Sequence, residues 1–392
     1  MRILAIETSC DETAIAILEI AKEDNFSKVT VLGNALLSQI DLHKEYGGVF
    51  PMLAKREHTR TITPLLEKVL EEAGLWQEKE IKSIAPEIAQ EVENLLTKEE
   101  GLSASLLTLL STIKTPALDA IAVTHGPGLE PALWVGVNFA TALSVAWEVP
   151  LIPINHMEGH ILSSLLLKED TAYMLKTPHF PLLALLISGG HTELVLMEGW
   201  GTYKVIGGTK DDAVGEAYDK VARMLGLPYP GGPEISKLAE EARAHHMQSE
   251  FSLPRPMLHS DDLNFSFAGL KTAVLYALKK IPTITTSTKE AFSLEFENAV
   301  GEVFTKKVEK ALEETGAHTF IVGGGVSANT HIKRMLTHMI EKKFPNITLF
   351  IPETKLTTDN AIMIALAGYT RIHTIEKNAT HTPIKAIGNL KL

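Results

Sequence analysis

The chain predicts an α/β fold of two lobes, and three observations carry the prediction. Residues 2–7 alternate like a strand, break into the polar turn Thr8-Ser9-Cys10-Asp11-Glu12-Thr13 and resume as an apolar strand at 14–18. The pattern returns in the second half: a buried-type strand at 181–187 breaks into Ser188-Gly189-Gly190-His191-Thr192 and resumes at 193–197. Helical runs and short strands follow each hairpin, as in α/β lobes, and 392 residues are enough for two cores.

A polar-tipped hairpin at the head of each lobe is the mark of the actin-like, Hsp70-like ATPase (ASKHA) fold, in which two lobes enclose a nucleotide cleft and the two turns hold phosphates. The analogy concerns fold and carries no function by itself. It puts residues 1–150 and about 362–392 in an N-terminal lobe and 151–361 in a C-terminal lobe, the last helix crossing back to the first lobe.

Each element then has a reason. The first turn carries Asp11 and Glu12, candidates to position a metal, a water or a substrate amine, although Asp is also at home in turns. Residues 77–116 are Glu- and Lys-rich, then Ser- and Leu-rich, with helical periodicity at 88–96 and 102–113. They read as an inserted helical pair, a solvated appendage, with partner docking as the alternative. A strand at 120–123 closes on Thr124-His125-Gly126-Pro127-Gly128 before a small-residue helix at about 135–147. Main-chain N–H groups at such a junction can hold an anion; a tight turn is the plainer reading.

His156-Met157-Glu158-Gly159-His160 opens a run to 167 that reads as a helix. At i and i+4 its two imidazoles share a face, about 6 Å apart at Cβ, which suits two ligands of one metal ion. In the zinc-protease motif H-E-x-x-H the Glu follows the first His directly; here Glu158 stands one place later, so the hydrolytic base is missing. A third ligand is required, and Asp359 supplies it, in the first turn of a capped helix over 361–369 that follows a strand at 348–351. Imidazole and carboxylate ligands suit one divalent ion, Fe(2+) or Zn(2+). The plainer reading has His156 capping the helix and His160 packing.

In the second lobe, Ser188-Gly189-Gly190 lies between strands, where glycines let a phosphate reach the backbone. Asp219 begins a helix at 217–225, as a cap or as a partner for a ribose diol, ahead of Tyr229-Pro230-Gly231-Gly232-Pro233. A strand at 319–322 meets Gly323-Gly324-Gly325, which leaves room for an adenine or ribose, and a helix starts near Ser327-Ala328-Asn329. Neither G-x-G-x-x-G nor the Walker pattern G-x-x-x-x-G-K-[ST] occurs.

The composition is that of an ordinary globular protein, 45% hydrophobic and 22% charged. One cysteine, Cys10, excludes an internal disulfide framework and suits the cytoplasm. No segment is long and apolar enough for a bilayer, so no membrane partner is expected. At a net charge of −11 the chain can handle RNA only through a local basic patch or a partner protein. Lys55, Arg56 and Arg60 on one helix, with Arg223 elsewhere, are the local candidates, though single charges usually face solvent.

Together these motifs, with Tyr46-Gly47-Gly48-Val49-Phe50-Pro51 and Gly126-Pro127-Gly128-Leu129, resemble the bacterial tRNA N6-adenosine threonylcarbamoyltransferase family, once described as O-sialoglycoprotein endopeptidases. The resemblance covers nearly the whole chain apart from roughly 77–116. It implies the ASKHA fold and an acyltransferase of tRNA processing, moving the threonylcarbamoyl group from threonylcarbamoyl-AMP to N6 of the adenosine next to the anticodon in tRNAs reading A-starting codons. It implies metal binding, iron included, by His156, His160 and Asp359. Leu186, Ile187, Ser188, Gly189, Gly190, Asp219, Gly232 and Asn329 would contact the adenylate, and Asp11 and Glu12 lie where the family has functionally sensitive acids. The implied partners are tRNA, a catalytically degenerate paralogue subunit and a small P-loop ATPase. The chain departs at Ser236, where an Asp is frequent, which predicts a missing ribose contact. The competing readings are a metalloprotease, a non-catalytic nucleotide-binding scaffold, and a sugar or acyl kinase.

Overall fold

The computed structural model describes residues 1–78, 84–169, 172–372 and 384–392. Residues 79–83 of the expected insert and 373–383 of the expected N-terminal lobe lie outside the described residues. The chain divides into unit 1, Met1–Thr177 with Asp359–Leu392, and unit 2, Pro178–Thr358.

Unit 1 opens with β1 (Arg2–Glu7), β2 (Glu12–Lys22) and β3 (Phe26–Ser38), an antiparallel meander. Two helices follow, the short α1 (Ile40–Lys44) and the long α2 (Pro51–Glu72), which starts on Pro51, where a missing N–H costs nothing. Next come α3 (Pro86–Leu95), α4 (Leu102–Thr112), β4 (Ala120–Gly126), α5 (Glu130–Trp147), β5 (Leu151–Asn155), α6 (His156–Ser164), β6 (Leu166–Glu169) and β7 (Ala172–Lys176). The sheet order is β5-β4-β1-β2-β3-β7-β6, with β4 parallel to β1 and β5 parallel to β4. The expected boundary at 150 therefore moves to 177, because β5 extends the first sheet and β6 and β7 close its other edge. The helical run from 156 stops at Ser164, and β6 begins at Leu166.

Helices over both faces explain why β1 is apolar rather than alternating: Ile3, Leu4, Ala5 and Ile6 are all fully buried. The insert is not a solvated appendage. Val92, Leu96, Leu102, Leu106 and Leu109, each at most 2% exposed, join Leu66, Val69 and Phe139 in one core. Each such side chain contributes roughly 1.5–3 kcal/mol by leaving water. On the sheet's other face the last helix, Ala361–Arg371, packs on α6, β1 and β2.

Unit 2 contains β8 (Leu182–Ile187), β9 (Thr192–Gly199), β10 (Thr202–Gly208), α7 (Val214–Met224), α8 (Gly231–Ala244), α9 (Ala268–Leu278), α10 (Thr286–Thr315), β11 (Thr319–Gly323), α11 (Thr330–Lys343) and β12 (Thr348–Phe350). Its core gathers Phe265, Phe267, Phe292, Phe296 and Phe304. The sheet order is β10-β9-β8-β11-β12, antiparallel through the first three strands in sequence and parallel for the last two. Unit 1 has the same third-second-first-fourth-fifth order at the heart of its sheet. This repeated core is the actin-like ATPase fold. Among the described residues no helix is long and apolar enough to cross a membrane.

Candidate functional site

In unit 1 the Asn155 side chain accepts from the Met157 N–H at 2.9 Å and so starts α6. His156 thereby opens the helix and His160 follows one turn later, 6% and 0% exposed. Gly159 faces the last helix, where an added Cβ would lie 3.0 Å from Met363 Cγ. Its bareness lets that helix approach. Asn360, not Asp359, caps it, accepting from the Met363 N–H at 3.1 Å. Asp359 therefore stands just before the helix rather than in its first turn, with Oδ1 3.4 Å from His156 Nε2 and 3.2 Å from His160 Nε2.

The three ligand atoms lie within 4.8 Å of one another. His160 is fully buried and neither ring nitrogen has a hydrogen-bond partner among the described residues. Buried polar atoms are normally satisfied, and an imidazole aimed at a carboxylate and a second imidazole is what a metal ligand looks like. The donor set fits one divalent cation. Burial disfavours a charged His156, but the Asp359 and Glu7 carboxylates outweigh it and hold the ring well above its usual value. Burial likewise opposes a charged Asp359, and the His156 and His160 rings keep its carboxyl well below the usual range. A cation among the three takes the place of that shared proton.

Sequence reasoning missed Glu7. It is fully buried at the end of β1, with Oε2 3.2 Å from His156 Nδ1 and its oxygens accepting from the Ser9 N–H and the Thr124 hydroxyl, both at 2.5 Å. A carboxylate on the far nitrogen fixes the tautomer and leaves Nε2 for the metal. The only signal was a charged residue ending an otherwise apolar strand. Glu158, the displaced acid of the two-His motif, is fully buried and pairs with Arg371 at 2.6 Å. It is therefore committed to packing α6 on the last helix.

Asp11 and Glu12 share unit 1 with the metal ligands. Burial, then the Asp359 and Asp11 charges, push the Glu12 carboxyl up to about 9. The Gly126-Pro127-Gly128 turn holds no open space for an anion at Gly128, where an added Cβ would be 2.5 Å from the Ser9 carbonyl. Of the basic residues, Lys55 turns to Glu99 at 3.4 Å, and Arg56 and Arg60 flank Glu57 at 3.5 and 3.0 Å.

In unit 2, Leu186 and Ile187 are completely buried, main chain included, between β9 and β11, so they support the turn that follows rather than present a surface to a ligand. Ser188 Oγ accepts from the His191 N–H at 3.1 Å and shapes the turn. The glycines fall into two groups. Gly324, at φ +87°, is required by the fold, since a Cβ there would meet the Ile187 carbonyl at 2.4 Å. Gly189, Gly190 and Gly325 face open space, and Gly232 has only Tyr218 Cβ at 4.0 Å. Among the described residues, nothing in the packing needs those four to be bare.

Asp219 Oδ1 accepts from the Gly231 N–H at 2.7 Å, which braces the start of α8. Burial raises its carboxyl above the ordinary value against that bond. Asn329 is spent inside the protein: its Oδ1 caps α11 through the Ile332 N–H at 2.9 Å, and its Nδ2 donates to Glu297 at 2.5 Å and Ser236 at 3.0 Å. Ser236 itself donates to Glu297 at 2.9 Å. Glu240, Glu297 and His331 also cluster at metal-ligand distance. Arg243 and Arg334 already neutralise the two carboxylates, and burial followed by those two arginines pushes His331 down to about 4. A second cation has no charge to balance there.

A family model described as TsaD, tRNA N6-adenosine threonylcarbamoyltransferase, matches residues 30–86 and 102–366. The chain belongs to this family. A tRNA N6-adenosine threonylcarbamoyltransferase of Nitrosomonas eutropha is 42% identical over 377 residues, 96% of this chain and 94% of its own. One from Acidovorax sp. is 42% identical over 370 residues, 94% of this chain and 91% of its own. As a member of the threonylcarbamoyltransferase family the protein is a transferase. The match skips 87–101, most of α3 and the turn into α4. A solved structure, component A of the Acidaminococcus fermentans (R)-2-hydroxyglutaryl-CoA dehydratase, aligns over 95% of this chain and 99% of its own at 11% identity and a TM-score of 0.48, too distant to bear on function.

Proposed function

We propose that the protein transfers the threonylcarbamoyl group of threonylcarbamoyl-AMP to N6 of the adenosine next to the anticodon, in tRNAs that read A-starting codons. One observation carries this reading beyond family membership: His156, His160 and Asp359 converge as a metal site while Glu158 is tied up by Arg371. A metal without a hydrolytic base suits transfer of an already activated acyl group. When bound, the divalent ion, iron(II) or zinc, supplies Lewis-acid polarisation of the carbamoyl carbonyl and a fixed point for the threonyl part.

The chain's own residues do the rest. N6 attacks the carbamoyl carbon, the N–C bond forms, and the bond from that carbon to the phosphate oxygen breaks, releasing AMP. The proton lost by N6 goes to the Asp11–Glu12 carboxyl pair. The bare main chain of Gly189 and Gly190, with Gly232, holds the adenylate, and Ser188 shapes the turn that presents it. Asp219 serves it by bracing the start of α8 beside Gly232, and Asn329 by tying the start of α11 to Ser236 of α8. A cytoplasmic location, a degenerate paralogue subunit and a small P-loop ATPase complete the proposal.

The test incubates the protein, with those partners added, with threonylcarbamoyl-AMP and unmodified tRNA and analyses the nucleosides. Appearance of the modified adenosine is expected; its absence overturns the reading. Peptide cleavage stopped by a chelator would favour the protease instead.

A further inference from the structure

The motif at 46–51 and two buried histidines, His43 and His58, have no part in the transfer described above, yet their hydrogen bonds converge on one loop. His58, on the second turn of α2 and fully buried, has Nε2 2.9 Å from the Cys10 carbonyl. A carbonyl only accepts, so Nε2 carries the hydrogen. Nδ1 then accepts, and the Thr13 hydroxyl, 2.8 Å away, donates to it. Burial holds His58 down to about 4, which keeps the ring in this single-proton form.

The second arm runs through Gln39. Its main-chain N–H donates to the Asp11 carbonyl at 2.9 Å. The Phe50 N–H, inside the 46–51 motif, donates to His43 Nδ1 at 3.3 Å, so His43 must donate from Nε2 to Gln39 Oε1, 3.2 Å away. The Gln39 amide nitrogen is thereby turned towards the Ala54 carbonyl and His58 Nδ1, each at 3.4 Å. Every tautomer and amide orientation in the chain of bonds follows from one main-chain donor at Phe50 and one main-chain acceptor at Cys10.

We propose that His58 is a positioning residue for the Asp11–Glu12 carboxylate pair, and that the 46–51 turn sets His58 through His43 and Gln39. The carbonyls of Cys10 and Asp11 flank the Asp11 side chain, and Thr13 follows Glu12. With both carbonyls and the Thr13 hydroxyl held, the direction of the two carboxylates is fixed. This rests on the reading that Asp11 and Glu12 serve the acceptor amine.

The test compares His58→Leu, His58→Gln and Asp11→Asn in tRNA threonylcarbamoylation, reading kcat, KM for threonylcarbamoyl-AMP, bound metal and Tm. His58→Leu lowers kcat by roughly ten- to a hundredfold, the cost of a misplaced group, with KM and metal content unchanged. His58→Gln, whose amide nitrogen can still donate to the Cys10 carbonyl, restores most of it. Full kcat in His58→Leu while Asp11→Asn is inactive overturns this proposal alone. A fully active Asp11→Asn overturns the role of the acidic loop on which it rests. Parallel loss of kcat, metal and Tm without rescue by Gln makes His58 merely structural and also overturns it. Should His58→Leu fail to fold, Thr13→Val decides, since it removes only the donor to Nδ1: a several-fold lower kcat supports positioning and an unchanged one refutes it.

Discussion

β1 and β8 end at the same point of the same strand order, and each runs into a polar turn. After β1 the turn works through side chains: Glu7 and Ser9 are buried and lean on His156, and Asp11 and Glu12 follow. After β8 the turn works through their lack: Gly189 and Gly190 face open space. A metal needs donors held at fixed distances by packed neighbours. A phosphate needs main-chain N–H groups and room to reach them. The two tips stand at matching ends of one topology and differ in residue choice, buried polar side chains in the first and bare glycines in the second.

Substitutions separate the two modes. His160→Ala should have the largest effect, losing at least roughly a hundredfold in metal affinity and with it transfer, measured by metal analysis and nucleoside yield. A metal-free variant with full transfer would remove the ion from the reaction. Glu7→Gln keeps all three ligands but not the charge behind His156, and should weaken metal binding by about ten- to a hundredfold; an unchanged affinity would reduce Glu7 to a strand-end packing group. In unit 2, Gly190→Ala should raise KM for the adenylate by about tenfold, ~1.4 kcal/mol, while Tm and metal stay put. Its counterpart Gly324→Ala should cost about 1–3 kcal/mol of stability, since Ile187 already occupies the space. If the two glycines behaved alike in thermal melts, the division into bare-for-ligand and bare-for-fold would fail. The smallest functional effect belongs to Glu158→Gln. Stability should fall by roughly 1–3 kcal/mol through the orphaned Arg371 pair, with transfer per folded molecule unchanged; lost transfer at full stability would return Glu158 to the chemistry.

The two hairpins, the strand after Thr319 and the two-His helix could be read directly because each is a local pattern with a fixed period. Glu7 could not, since its role depends on β1 lying beside β4, which brings Thr124 and, through β5, His156 to it. The insert misled for a related reason. Its Leu and Val positions sit among Glu and Lys, and nothing local tells whether an apolar stripe finds a partner; α2 and α5 provide one. The resemblance makes Asn329 an adenylate contact, but it stands where a helix must be capped, and that local demand takes its side chain. Ser236, where the resemblance predicts a missing ribose contact, bonds Glu297 and Asn329.

The chain order of unit 1 has a temporal consequence. His156 and His160 precede Pro178–Thr358, and Asp359 follows it, so any ion the three residues hold closes a loop that contains all of unit 2. During synthesis the two imidazoles leave the ribosome early and wait while the intervening unit is made. A nascent or prematurely ended polypeptide that stops anywhere before 359 carries two ligands and no third. An ion that needs all three ligands would therefore be held only by chains translated past the whole of unit 2.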